Sequence, residues 1–392
     1  MKILHVNDTY ARTGGISRYL FEVMELLERH GHENIVIYQK QHQHTVTDGR
    51  IIYHVPMGET DGATSYARTQ RIVATQRPDL VFLHAAYDPA VVAAATNAVP
   101  TVAYIHGFHT VCPGLAKYFH RNDAVCNRPY GLGCVPLIYT HRCSDARHPK
   151  TLHRLMRTTA EQQKVYQSVS LLLVASGYMH DLLRQNGFSA DKIEVLPYPH
   201  TPVHSAPLES SAPLRLLFAG RVELEKGIPY LLQAFARLSM SCQLNIAGDG
   251  TLRPAYERLA KELGVDDRVK FLGWLDDTAL DEAYRTARAV IMPSIFPEPF
   301  GQVGVQALLR ERPVVAFDVG GISDWLKDSE HGFLVPSRNI AVLASRIEIL
   351  LHDPALAARL GAQGKAFALR AYQPEAHVTT LLHFFENRVR WK

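Results

Sequence analysis

Short apolar runs alternate with longer amphipathic stretches along this chain. In the first half the runs are "KILHVND" (2–8), "ENIVIY" (33–38), "PDLVFLH" (78–84), "PTVAYIH" (100–106), "SLLLVAS" (170–176) and "KIEVLP" (192–197). Each reads as a strand. After the first one, Gly14 and Gly15 form a tight turn. From Ile16 the apolar positions Leu20, Val23, Leu26 and Leu27 then recur at helical spacing, and Gly31 stands where a C-cap belongs. An Ala-rich helix around 90–97 separates two later strands. Strands alternating with helices predict an open parallel sheet covered on both faces.

The pattern stops at "PHTPVHSAPLESSAP" (199–213), rich in Pro, Ser and His, and then restarts. "LRLLFAG" (214–220), "CQLNIAG" (242–248), "RVKFLG" (268–273), "AVIMPS" (289–294), "RPVVAF" (312–317) and "GFLVP" (332–336) follow as strands. Residues 374–392 form one long helical pattern containing Trp391, with a basic end. The expectation is an α/β protein of two Rossmann-like, doubly wound domains facing across a cleft, at 1–200 and 201–373. The helix 374–392 is expected to return to the first domain.

Composition fits this picture. The chain has 392 residues, more than one core usually serves, with 47% hydrophobic and 20% charged residues. No apolar run is long enough for a membrane span, and the N-terminal one is too brief for a signal peptide. A cytoplasmic protein is expected.

The net charge of +4 falls entirely within residues 1–200. Between Cys112 and Lys164 nine cations, among them Lys117, Arg121, Arg128, Arg142 and Arg147, face three acids, with Tyr118, Phe119, Tyr130 and Tyr139 interleaved. Basic and aromatic side chains together suit an anionic partner, and a solvated basic face explains them equally well. Four of the five cysteines, Cys112, Cys126, Cys134 and Cys143, fall in the same stretch. Their spacings of 14, 8 and 9 contain no C-x-x-C pair, so the sequence makes a weak case for structural zinc and buried free thiols are the simpler reading.

Chemistry is expected beyond the carboxyl ends of the strands, where glycine loops and helix N-termini meet. "GRVELEKG" puts Arg221 and Lys226 at one such end, a fork and a point charge suited to a diphosphate. In "FPEPFGQVGVQA", Glu298 precedes a helix expected to begin near Gly301. The amides of Phe300, Gly301, Gln302 and Val303 would then make an anion site, with Gln306 further along. A pyrophosphate at the helix start would lie between Glu298 and Gln306. His106, at the end of its strand, could hydrogen-bond a sugar hydroxyl. Each of these residues also has an ordinary explanation: exposed cations, a macrodipole acid, a surface amide, a satisfied histidine.

These stretches, together with "GGISR" (14–18), "HGFHTVCP" (106–113), "FLGWL" (271–275) and "VGGISDWL" (319–326), resemble the retaining GT-B glycosyltransferases of family 4 (glycosyl transferases group 1) in order and spacing. The resemblance covers nearly the whole length. It implies a nucleotide-sugar donor, UDP- or GDP-linked, bound mainly by the C-terminal domain, and an acceptor bound by the N-terminal one. Arg221 and Lys226 would hold the diphosphate, Glu298 the sugar hydroxyls, and His106 would face the anomeric region. Gly15 would approach the phosphates with Arg18 nearby, and the loop at Leu275 the base. No Asp-x-Asp occurs, in keeping with a transferase that needs no metal or other cofactor.

Three departures stand out. Gln306 replaces a second Glu expected to hold the ribose, "PYPH" (197–200) replaces an Asn-Gly, and Ser323-Asp324 replaces a Pro-Glu. The implied reaction moves a hexose-type sugar to an acceptor hydroxyl in polysaccharide, glycolipid or glycoconjugate synthesis. A nucleotide-sugar epimerase or hydrolase, or a non-catalytic binder, are the rivals. The acceptor is expected to be a sugar, phosphorylated or lipid-linked. Residues 112–164 are expected to make a peripheral contact with the inner face of the membrane. Nucleic acid is not expected, since the charge is local and no recognition motif accompanies it.

Overall fold

In the first unit the apolar runs become strands of one parallel sheet: β1 (Lys2–Asn7), β2 (Glu33–Tyr38), β3 (Ile51–His54), β4 (Leu80–Leu83), β5 (Thr101–Ile105), β6 (Leu171–Val174) and β7 (Ile193–Val195). Their order is β3-β2-β1-β4-β5-β6-β7, every pair parallel. β4, β5 and β6 are buried at every position, which is why they read as unbroken apolar runs rather than alternating ones. β3 was not anticipated. It is a short edge strand with no fully buried residue, so the apolar pattern that marks the others is weak there.

This computed structural model describes residues 1–12, 14–56, 62–144, 148–202 and 214–389. Most of the Pro/Ser/His-rich stretch at 199–213, and Arg147 and Trp391, lie outside them. By its internal contacts the chain falls into two units. One comprises Met1–Asn122, Cys126–Pro199 and Pro374–Lys392; the other comprises Asp123–Val125 and His200–Gln373.

The helix Gly14–Arg29 buries Leu20, Val23, Leu26 and Leu27 on one face, and Gly31 ends it with a left-handed φ of 78°. The Tyr19 hydroxyl on this helix reaches Nε2 of His377, 3.2 Å away, on the helix Pro374–Asn387. Nδ1 of His377 donates to the Pro197 carbonyl at 2.9 Å, so Nε2 is left to accept from Tyr19. Phe385 adds an edge-to-face contact with Phe82 of β4. The C-terminal helix thus belongs to the first unit through both polar and aromatic contacts.

The second unit holds β8 (Arg215–Ala219), β9 (Gln243–Ala247), β10 (Val269–Gly273), β11 (Ala289–Met292), β12 (Val314–Phe317) and β13 (Gly332–Val335). They lie in the order β10-β9-β8-β11-β12-β13, all parallel. Strand order reverses between β8 and β11, so the loops leaving these two strands diverge around a crevice, the usual ligand position in such sheets.

Candidate active site

Lys226 and Glu298 meet at that reversal point. Lys226 sits in the loop after β8, Glu298 in the loop after β11, and Nζ lies 2.7 Å from Oε1. The Ser294 hydroxyl donates to the same oxygen at 2.6 Å. Both contacts fall on Oε1, and Oε2 has no hydrogen-bond partner among the described residues. The ammonium also rides over the Phe296 ring, 4.6 Å from its centre. Glu298 is 7% exposed, so the pair is largely out of water, where opposite charges hold each other firmly.

Glycines allow the close approach. A Cβ on Gly227, whose φ is 69°, would stand 1.8 Å from the Pro293 carbonyl oxygen. A Cβ on Gly320 would stand 2.2 Å from the Glu298 carbonyl oxygen, which accepts from the Gly321 amide at 2.7 Å. The Ile295 amide donates to the Glu225 carbonyl at 3.0 Å and stitches the two loops together.

The helix after Glu298 runs Gln302–Leu309. Gly301 precedes it with a left-handed φ of 92° and offers no side-chain cap, so the first-turn amides of Gln302 and Val303 are left for another acceptor. Trp325 is wedged beneath this turn. Its indole N–H donates to the Phe300 carbonyl at 2.7 Å, and a Cβ on Gly304 would meet its ring at 1.9 Å. Phe300 itself is buried, so its side chain belongs to the core and only its backbone faces the question of ligand contact. Gln306 is half-buried on the helix, and the Tyr284 hydroxyl approaches its Oε1 at 3.4 Å.

Arg221 shares the loop with Lys226, but its guanidinium pairs with Glu225 at 2.7 Å and its side chain is 59% exposed. Each cation thus has its own carboxylate, Glu225 for Arg221 and Glu298 for Lys226. Leu275 lies just beyond β10, half-buried. Beside it Trp274 is 71% exposed, a large aromatic left in water that the sequence reading passed over within "FLGWL".

In the first unit Gly15 and Arg18 are exposed on the first turns of the helix Gly14–Arg29, at the carboxyl end of β1. His106, just past β5, is buried rather than open. Its ring stacks on Tyr104 at 4.6 Å and Tyr198 at 5.6 Å, and Nδ1 lies 2.8 Å from the Tyr198 hydroxyl. Nε2 is buried without a hydrogen-bond partner among the described residues. Burial pushes its pKa down to about 3, so the ring is neutral. Tyr198 is the second residue of the "PYPH" departure, and it was not singled out from the sequence.

Contrary to the expectation from its sequence, the basic stretch is not all surface. Lys117 is 2% exposed, with its ammonium on the Arg128 carbonyl, and Tyr118 is fully buried; neither belongs to a surface face. Arg121 and Arg142 remain at the surface, and Leu115, Leu132, Val135 and Tyr139 of the same stretch are exposed too. All five cysteines are free thiols. No helix among the described residues is long and apolar enough to cross a membrane.

The family described as Glycosyltransferase Family 4 matches residues 13–199, and that described as Glycosyl transferases group 1 matches residues 204–367. Over 253 residues the chain is 28% identical to an alpha-D-kanosaminyltransferase of Streptomyces kanamyceticus, covering 60% of this chain and 65% of the relative. The chain spans less than two thirds of the length of that and other curated relatives it matches. Among solved structures, HepE of Anabaena in complex with UDP superposes with a TM-score of 0.71 at 18% identity, covering 98% of this chain and 100% of that one. The lipopolysaccharide outer core galactosyltransferase WaaB gives 0.70 at 16% identity, with 98% and 99% covered. Two family matches that follow one another along nearly all of the chain, on this pair of parallel sheets, make it a member of the group 1, family 4 glycosyltransferases with the GT-B fold.

Proposed function

We propose that the chain is a retaining, metal-independent glycosyltransferase that takes a hexose-type sugar from a UDP- or GDP-linked donor. The observation that carries this reading is the Lys226–Glu298–Ser294 cluster at the strand reversal of the second unit. It sets a cation for the diphosphate beside a carboxylate with one oxygen open to sugar hydroxyls, next to an uncapped helix start. UDP in the HepE complex is consistent with such a donor.

On this reading Lys226, with Arg221, neutralises charge on the departing diphosphate, and the amides of Gly301, Gln302 and Val303 add to that anion site. Glu298 fixes the sugar through its hydroxyls. Gln306 takes the ribose, and Leu275 with the exposed Trp274 flanks the base. The bond from the anomeric carbon to the phosphate oxygen breaks, and the acceptor oxygen bonds to that carbon on the same face. The acceptor's proton passes to the leaving phosphate. His106, neutral, contributes a hydrogen bond rather than a charge. Gly15 and Arg18 approach the phosphates. Positioning and preset charge would supply most of the rate.

The acceptor is a sugar, phosphorylated or lipid-linked. Leu115, Leu132 and Tyr139, exposed in the same stretch of chain as Arg121 and Arg142, suit shallow contact with an anionic membrane surface. Binding to anionic vesicles that does not weaken with salt, or no binding, would count against that contact.

The central test is a thermal-shift series with UDP, GDP, ADP and TDP, followed by turnover with the matching sugars. Lys226→Ala is expected to lower turnover by about 10²–10³-fold or more while the fold survives. Near-normal turnover in that variant would sink the diphosphate assignment. Free or isomerised sugar without any acceptor would favour a hydrolase or epimerase.

A further inference from the structure

The four cysteines that the sequence scatters through 112–143 surround one small cavity. Cys112, Cys126, Cys134 and Cys143 all line a space of about 20 Å³, room for a single water-sized guest. Beyond these thiols, Lys117 and Arg128, the wall is hydrocarbon and aromatic. A water there would find few hydrogen-bond partners, whereas four sulfurs suit a soft cation.

The surroundings are arranged for negative sulfur. The backbone amides of Gly114, Ala116 and Lys117 lie around the Cys112 sulfur and favour its charged form. Left-handed backbone at Leu115 (φ 62°) and Lys117 (φ 51°) curls this turn back around it. A Cβ on Gly114 would stand 2.0 Å from the Cys143 carbonyl oxygen, so only glycine lets the first and last cysteine loops touch. Cys143 lies near enough to Cys112, Cys126 and Cys134 to feel a charge on any of them. Lys117 is buried in the same wall, and no carboxylate pairs with it among the described residues. A buried ammonium with only a carbonyl for company is costly unless an anion is due beside it.

We propose that these four cysteines hold one thiophilic metal ion of the zinc class, as a closed structural site that staples residues 112–143. Binding replaces thiol protons with four sulfur–metal bonds. The resulting tetrathiolate carries net charge −2, which Lys117 and the Cys112 amides offset. Among the described residues no three His, Cys, Asp or Glu side chains already form a ligand set, so the sulfurs turn inward on binding. With four protein ligands no position stays open for substrate, which separates this ion from the transfer chemistry.

The test uses the full chain purified under reducing conditions. Elemental analysis is expected to give one zinc per chain. Cobalt added to the metal-stripped protein should give the visible bands of tetrahedral thiolate coordination. Four of the five thiols should resist a thiol reagent until a chelator is added, leaving only the buried Cys242 unaffected by it. Cys143→Ser should lose the ion, and Cys242→Ser should keep it. Should Cys143→Ser fail to fold, the cobalt spectrum and thiol count of the unaltered chain still decide. No bound zinc, no cobalt bands and thiol reactivity indifferent to chelator would overturn the proposal, as would recovery of these cysteines as disulfides.

Discussion

The hydroxyl of Tyr198 lies 2.8 Å from Nδ1 of His106, with the two rings parallel to within 4°. A phenol is a better donor than a neutral imidazole N–H; with the hydroxyl donating, the His106 proton sits on Nε2, the nitrogen left without a partner among the described residues. In that tautomer Tyr198 sets which atom of His106 can donate.

Tyr198→Phe is expected to lower kcat by about fivefold, the equivalent of one hydrogen bond of ~1 kcal/mol, with KM little changed. The same change in a His106→Ala background should do nothing, because the two act as one unit. An equal loss in both backgrounds would reduce Tyr198 to a packing residue.

Five buried histidines make the first unit acid-sensitive. Burial lowers His5, His109 and His377 to about 4 and His106 to about 3, and it holds His84 well below the usual histidine value. An unfolded histidine titrates near 6.5, so below that pH the unfolded chain binds more protons than the folded one. Stability is therefore full above about pH 6.5 and falls as pH drops toward the folded values, by up to ~1.4 kcal/mol per pH unit for each histidine. Urea denaturation at pH 8 and pH 5 checks this. Equal midpoints would mean that these rings are charged or open in the folded state.

Gly304→Ala should act on the helix start through Trp325. The new methyl would lie 1.9 Å from the indole, which cannot yield without giving up its bond to the Phe300 carbonyl. A cost of about 1–3 kcal/mol is expected, together with weaker binding of the nucleoside diphosphate that the thermal-shift series selects. The control Gly264→Ala, at a surface turn with nothing within 4 Å, should cost stability through its positive φ but leave that affinity alone. Calorimetry with the same nucleotide separates the two.

Gln306→Glu replaces the acceptor of the Tyr284 hydroxyl with a charged one. If the side chain holds a ribose hydroxyl, nucleotide binding should tighten by about fivefold, since charge assistance adds ~1 kcal/mol, with sugar preference unchanged. No change in affinity would make Gln306 a bystander on its helix.

Much of the fold was legible because strand and helix signals are local. All six second-unit strands fall where the apolar runs stand, and the helix after Glu298 begins at Gln302, one residue past the predicted start. β3 escaped because an edge strand buries little and so leaves little pattern. The motif order, too, is a property of the sequence, and it carried the family. The spacing of Glu298 and Gln306 was legible, but it did not reveal that one faces Lys226 and the other Tyr284.

Partnership is what the chain alone leaves open. Lys226 and Glu298 are 72 residues apart, and His106 and Tyr198 are 92 apart. They meet because β8 pairs with β11, and β5 with β6, which in turn pairs with β7. Residue spacing does not encode which strands become neighbours; sheet order does. The same holds for Lys117, read as surface charge and found buried, and for four cysteines whose spacing matches no metal motif yet whose loops close around one cavity. Periodicity determined what each segment became, because burying an apolar face is a local demand. Tertiary packing decided which polar groups share a space, because only the assembled sheet sets their distance and strips them of water.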